Sequence, residues 1–302
     1  MSIGRVDLQF YRDSHPDLAE LSDHQLLDHY RGYGIAEGRL ACPEGVREGF
    51  VRLIPSDGPV LEIGPFANPL LRGPNVRYAD VLSTDELRAR ARSLGLDPEM
   101  CPDIDYALPT LDLSAIGERF VAVVSCHCIE HQPDLVRHLQ DVATLLLPGA
   151  RYYVIVPDKR YCFDHFLAES TIADVVRAHL RKDCIHHVGS VIEHWALTTH
   201  NDSSRHWMGD HGRPHIDSTT EPLERAIAEC AANPERYLDV HAWKFTPDSF
   251  HRVVDLIAEL GWSTFRPFIV FPTVRPRNEF CVVLGTPDFA RVEVDASIGA
   301  GT

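Results

Sequence analysis

No stretch of this 302-residue sequence stays apolar for the ~20 residues that a membrane span requires, and none of its eight cysteines falls in a C-x-x-C pair. The first absence argues against a spanning helix, and the lack of a basic-then-apolar start argues against a secretory signal. The second argues against a disulfide framework or a structural zinc site, so Cys42, Cys101, Cys126, Cys128, Cys162, Cys184, Cys230 and Cys281 are expected mostly as small buried hydrophobes. Positive charge is also scarce: 29 Lys and Arg stand against 44 Asp and Glu, a formal net charge of -15. A field of that sign repels phosphate backbones and anionic lipid, so neither nucleic acid nor a membrane surface is expected as a partner. Arg88, Arg90 and Arg92 are interleaved with apolar residues on a predicted helix and read as a solvated face. A cytoplasmic protein is the expectation.

What is present is an α/β pattern. The 44% hydrophobic content suffices for a full core in one large domain with appendages. The run from Pro59 to Leu70 begins as a buried parallel strand, places an acid at Glu62 and closes in a tight turn at Gly64 and Pro65. Gly64 has no Cβ, so a ligand can approach the backbone where ligands bind in open α/β sheets. Val76 to Asp80 reads as a second strand with a carboxylate at its end, suited to accepting from both hydroxyls of a ribose. An amphipathic helix follows from Asp85 to Leu94, and Ile104 to Tyr106 marks a third strand's end. Asp105 there is read either as an acceptor for an exocyclic amine or as an ordinary loop cap. Phe120 to His131 starts as a buried strand and empties into a polar cluster, and a helix over 135–146, a turn at Leu147-Pro148-Gly149 and a strand from Ala150 to Asp158 come next.

These two runs resemble class I S-adenosylmethionine (SAM) methyltransferases. Glu62 and Gly64 match the E/D-x-G-x-G-x-G motif, while Phe66 and Asn68 stand where further glycines are usual. Asn tolerates a left-handed backbone, so Asn68 is expected to take over a glycine's role and Phe66 is not. The second run is similar to F-D-x-V-x-S-x-H-x-x-E-H followed by a helix and L-x-P-G-G. The resemblance implies a Rossmann-like, seven-stranded, mostly parallel sheet over residues 46–286 with its last strand antiparallel, and SAM as cofactor. It implies cofactor contacts from Glu62, Gly64, Asn68, Asp80, Asp105, Ser125 and His127, whereas Glu130 and His131 read as hydrogen-bonded to each other and to the loop.

Residues 1–45 read as a separate pair of short helices, the second capped by Ser22 and ended by Gly32 or Gly34. His15-Pro16-Asp17, His29-Tyr30 and Glu37-Gly38-Arg39 resemble an N-P-D, H-Y, G-x-x-E-G-R module of bacterial surface-polysaccharide proteins, with His15 replacing Asn. A lid or a dimerisation arm is the other reading, which leaves a homo-oligomer open. A helix is expected over 44–54.

The segment 159–245 reads as an insert over the mouth of the site and carries ten of the seventeen histidines. A base of pKa near working pH would assist a hydroxyl acceptor, and His187, His194 and His241 are the candidates. His187, Glu193 and His194 could bind a divalent ion but lack zinc-site spacing, so a metal stays open; Gly212 and Pro214 argue against a helix joining His211 to His215. Asp239 to Phe245 is expected as a short strand with His241 and Trp243 facing the cleft, followed by a helix capped by Thr246. Strands near Phe265 to Phe271, shortened by Pro267, and from Glu279 to Leu284 complete the sheet, and 287–302 are expected to fray. The expected acceptor is a small molecule or glycan, with O-methylation of a sugar hydroxyl first. The alternatives are O- or N-methylation of a natural product, or a SAM-fold binding protein without catalysis.

Overall fold

The computed structural model describes residues 5–110 and 112–286, so the expected fraying of 287–302 lies outside the described residues. Seven strands form one sheet: β1 (Val60–Ile63), β2 (Val76–Asp80), β3 (Tyr106–Ala107), β4 (Phe120–Cys126), β5 (Leu146–Pro157), β6 (Arg266–Phe271) and β7 (Glu279–Gly285). Their order is β3-β2-β1-β4-β5-β7-β6, and β7 runs antiparallel to both neighbours while β1 to β5 pair in parallel. This is the Rossmann-like sheet that the resemblance implies. Helices α1 (Leu8–Ser14), α2 (Asp23–His29) and α3 (Arg47–Phe50) precede it; α4 (Thr84–Ser93) and α5 (Leu135–Leu145) are crossovers. The insert holds α6 (Ile172–Arg181), α7 (Val188–Ile192), α8 (Ser203–Trp207) and α9 (Glu221–Ala232), and α10 (Pro247–Glu259) returns the chain to β6. Among the described residues no helix is long and apolar enough to cross a membrane.

Alternation along the strands divides the core in two. Leu61, Val123, Tyr152 and Val154 pack with Leu139 of α5 and Phe250 and Val254 of α10, whereas Val60, Ala122, Val124, Tyr153 and Ile155 pack with Phe50 of α3. Capping boxes at Ser22, Ser83, Thr171 and Thr246 start α2, α4, α6 and α10, each satisfying an amide that the helix cannot. The N-terminal unit has its own cluster of Tyr11, Leu18, Leu26, Tyr30 and Ala41. Arg39 donates to Asp17 at 2.8 Å and to Glu37 at 2.5 Å, and Tyr11 Oη meets His29 Nδ1 at 3.1 Å, so the recognised pattern residues tie this unit to itself.

Four local expectations change. The helix over 44–54 is broken into a 3-10 turn, the single turn of α3 and another 3-10 turn, because Val46 is extended and Gly45 and Gly49 disfavour a continuous helix. The Leu147 to Gly149 turn is instead the irregular first part of β5, where Leu146 pairs with Phe120 before the ladder slips to Ala122 and Arg151. Pro267 does not shorten β6, since the strand lies at the sheet edge and shifts register there. The segment after Asp239 forms no strand beyond one bridge from Phe245 to Asp158, so the alternation expected for His241 and Trp243 does not hold.

Glu62 is the polar keystone of this core. It is 1% exposed, and its carboxylate accepts from the backbone amides of Leu70 at 2.7 Å and Leu71 at 3.0 Å. Glu62→Ala leaves both amides unpaired in the interior and should cost about 2–4 kcal/mol in denaturant unfolding. Burial, only partly opposed by those two amides, pushes its carboxyl up to about 7 from 4.5. The folded state therefore favours the protonated form, so wild type should lose stability relative to Glu62→Gln as pH rises from 4.5 through 7.

Candidate functional site

Three parallel strands end side by side, with Ile63 level with Ala79 of β2 and Ser125 of β4. Their exits form a cavity at the carboxyl edge of the sheet, lined by Gly64, Phe66, Asp80, Leu82, Arg90, His127, Cys128, His131, Tyr237 and Asp239 among others. Gly64 turns with a φ of 70°, and a Cβ there would stand 3.2 Å from Cys128 Sγ. The next left-handed residue is Phe66, at a φ of 41°, and not Asn68. The expectation for the pair is thus reversed. Phe66 is held by packing with Ala67, Leu82, Leu87 and Ile104 and by the Arg90 guanidinium 5.6 Å from its ring centroid, while Asn68 lies outside the cavity lining.

Asp80 reaches the cavity and Glu62, Asp105 and Ser125 do not. Glu62 lies on the α3 face and clamps the loop behind Gly64. Asp105 accepts from the Tyr78 amide at 2.8 Å, which is the loop-cap role. Ser125 faces α5, where its hydroxyl meets Tyr152 Oη at 2.6 Å; Tyr152 Oη in turn meets His138 Nε2 at 2.9 Å, and burial pulls that imidazole down to about 3. The Asp80 carboxylate accepts from the Leu82 amide at 3.0 Å and is pushed up to about 6, chiefly by burial.

The opposite wall is ionic. His127 leaves β4 at a φ of 49°, and its Nε2 donates to Glu279 Oε2 at 2.8 Å. Glu279 also receives Arg47 through two bonds of 3.0 and 2.5 Å. Burial raises the Glu279 carboxyl, but these two partners outweigh it and bring it down to about 2, so it is ionised. His131 Nδ1 pairs with Asp239 Oδ1 at 2.9 Å, and Arg90 also pairs with Asp239. Burial opposes the charge on Asp239, yet His131 and Arg90 hold its carboxyl far below the usual range. His131 itself is lowered by burial and raised further by Asp239 and Glu130, so the net direction is up. Glu130 is fully buried, and the bond expected between it and His131 does not form: their nearest approach is 3.7 Å. Arg90, expected on a solvated face, lines the cavity and pairs with Asp239, and Tyr237 and Asp239 are cavity residues that the sequence reading did not single out.

The three candidate bases are dispersed. His187 caps α7, its Nδ1 accepting from the Ser190 amide at 3.4 Å, and lies outside the cavity lining. His194 accepts from the His241 amide at 3.3 Å, and burial pulls it down to about 4. His241 is buried, donates from Nδ1 to Asp164 at 2.6 Å and sets its ring 4.7 Å from His131, so it backs the cavity wall without lining it. Trp243 is a core residue, its indole N–H donating to the Gln132 carbonyl at 2.6 Å. His165 and His211 stack at 3.7 Å, and His206 and His200 at 4.3 Å, so several histidines of the insert are packed against each other.

No family model matches the sequence, and no curated protein matches it. Solved structures are similar in fold. The mitomycin 7-O-methyltransferase MmcR aligns at 13% identity over 93% of this chain and 61% of its own, with a TM-score of 0.37. The glycopeptide N-methyltransferase MtfA, complexed with SAM, aligns at 25% identity over 37% of this chain and 53% of its own, with a TM-score of 0.28. A structure assigned to the Zn-dependent alcohol dehydrogenases of Rhodobacter sphaeroides aligns at 13% identity over 82% and 91%, with a TM-score of 0.42. This chain thus spans less than two thirds of either methyltransferase. Likeness at that level does not extend to function, and what the cavity can hold follows from its own residues.

Gly64→Ala tests the rim directly. The left-handed turn and the contact with Cys128 should together cost about 1–3 kcal/mol in thermal or denaturant unfolding. Asn68→Ala, by contrast, should stay within about 0.5 kcal/mol of wild type.

Proposed function

We propose that the cavity holds S-adenosylmethionine and that the chain transfers its methyl group to a hydroxyl of a sugar or sugar-containing acceptor. The observation that carries this reading is one juxtaposition: the Asp80 carboxylate at the end of β2 shares a concavity with the glycine turn after β1. A ribose diol donating to Asp80 leaves the adenine against the apolar lining of Leu82, Leu108 and Leu113, and the methionine end toward Gly64 and His127. Support for a sugar is chemical and weaker in reach: an imidazole-rich insert beside the cavity, and an N-terminal unit like those of surface-polysaccharide proteins. A natural-product acceptor fits the same cavity.

The transfer asks little of the protein beyond alignment. The acceptor oxygen forms the O–CH3 bond as the C–S bond breaks, sulfur keeps that electron pair and becomes a thioether, and the hydroxyl proton leaves toward the wall. In this reading the wall is His127 and His131, backed by Glu130 and His241. His187 and His194 then have positioning roles in the insert.

Calorimetry with SAM, S-adenosylhomocysteine and NAD is the first test. SAM and its demethylated product should both bind and NAD should not; failure of both sulfur ligands would sink the reading. Asp80→Asn should weaken either by at least ~10-fold, the size of one lost charge-assisted hydrogen bond. The wild-type affinity should fall as pH drops through about 6, where the Asp80 carboxylate is protonated, and the Asn variant should lose that dependence. Release of S-adenosylhomocysteine with amines and not with sugars would move the acceptor to the natural-product class.

A further inference from the structure

Glu130 sits in the 3-10 turn Ile129–His131 directly after β4, wholly buried, and neither of its carboxylate oxygens has a hydrogen-bond partner. Burying a carboxylate unpaired costs several kcal/mol, so the surroundings must compensate it. They are three imidazoles. Oε1 lies 3.7 Å from His131 Nε2, 3.8 Å from His241 Nε2 and 3.9 Å from His127 Nδ1. All three separations are too long for hydrogen bonds.

The other nitrogen of each ring faces a second carboxylate: His241 Nδ1 bonds Asp164 at 2.6 Å and His127 Nε2 bonds Glu279 at 2.8 Å, while His131 Nδ1 lies 2.9 Å from Asp239 without the alignment of a hydrogen bond. An ionised carboxylate only accepts, so the outer nitrogens of His127 and His241 donate to their partners, and in all three rings the inner nitrogen is the one turned toward Glu130. A cation among those inner nitrogens compensates the buried carboxylate and gives its orphaned oxygens a partner. A metal ion ~2.0–2.2 Å from each donor would set neighbouring donors ~3–3.5 Å apart, close to the distances observed. The outer carboxylates are also what orients metal-bound histidines.

The geometry points to a divalent transition-metal site with Glu130, His131 and His241 as ligands; His127 approaches Glu130 alone, at 3.9 Å, and stands outside that set. Imidazole with carboxylate suits zinc, cobalt, manganese or iron; a calcium or magnesium site would be built of oxygens. The donor atoms of Glu130, His131 and His241 all lie within 4.8 Å of one another. Two other clusters meet that spacing but lack an orphaned donor. His206 and His211 bond to each other through Nδ1 at 3.0 Å, and His206 Nε2 bonds the His200 carbonyl at 3.1 Å. In the group of Cys126, His127 and Glu279, the carboxylate is already taken by Arg47 and His127. His127 and His131 line the cavity, so a free coordination position on that side would meet an acceptor hydroxyl and lower its pKa. That last consequence rests on the methyl-transfer reading; the site does not.

The test uses untagged full-length protein, stripped with chelator and titrated with Co(II), then with Zn(II) in competition. One equivalent of Co(II) should develop visible absorption, and Zn(II) should displace it. Glu130→Gln and His241→Ala should each weaken binding at least ~100-fold with the circular dichroism spectrum kept. His211→Ala should leave it intact. A wild type that takes up no stoichiometric ion, full retention by folded Glu130→Gln or His241→Ala, or loss in His211→Ala would overturn the site. SAM calorimetry on the same samples separates the two ideas: metal binding without SAM binding sinks only the function, and the reverse sinks only the site.

Discussion

Pairing of β1 between β2 and β4 is the constraint on which the remaining structure depends. Parallel ladders with Ile63 level with Ala79 and Ser125 make three chains leave the sheet at one height, which delivers Gly64, Asp80 and His127 to a common rim. The same pleat decides what stays behind. Glu62 and Ser125 sit one residue from the rim but point to opposite faces, so one becomes a loop clamp and the other a partner for Tyr152.

Charge at that rim is organised by partnership. The chain has an excess of acids, and it places five of them, Glu130, Asp164, Asp239, Glu279 and Asp80, around the cavity and the wall behind it. Four engage an imidazole, three of them at bonding distance, and Arg47 and Arg90 complete two of those pairs. In a medium of low dielectric such pairing fixes ring orientation more firmly than it adds net stability. Glu130 departs from the pattern, because its imidazoles approach without bonding.

Legibility followed the range of the interactions. Strands, crossovers and caps were readable because each is set by neighbours in sequence: β2 from Val76 to Asp80 and the Ser22 and Thr246 caps stand where expected, while the antiparallel last strand followed from the resemblance. The exceptions are also local. Glycines break the 44–54 helix, and the edge position of β6 admits Pro267. In the N-terminal unit the recognised residues turn out to bind one another, as Arg39 does with Asp17 and Glu37, which explains the pattern without specifying an acceptor.

By itself, the sequence determined the strands, the glycine turn at Gly64 and the acid at the end of β2, since hydrophobic periodicity and turn chemistry act over a few residues. Only the tertiary structure decided which histidines matter. Of ten in the insert, His241 alone joins the group beside Glu130, and its partners Asp164, Glu130 and His131 come from distant parts of the chain. Electrostatic neighbourhood depends on distance through space, and no periodicity in a one-dimensional string encodes it.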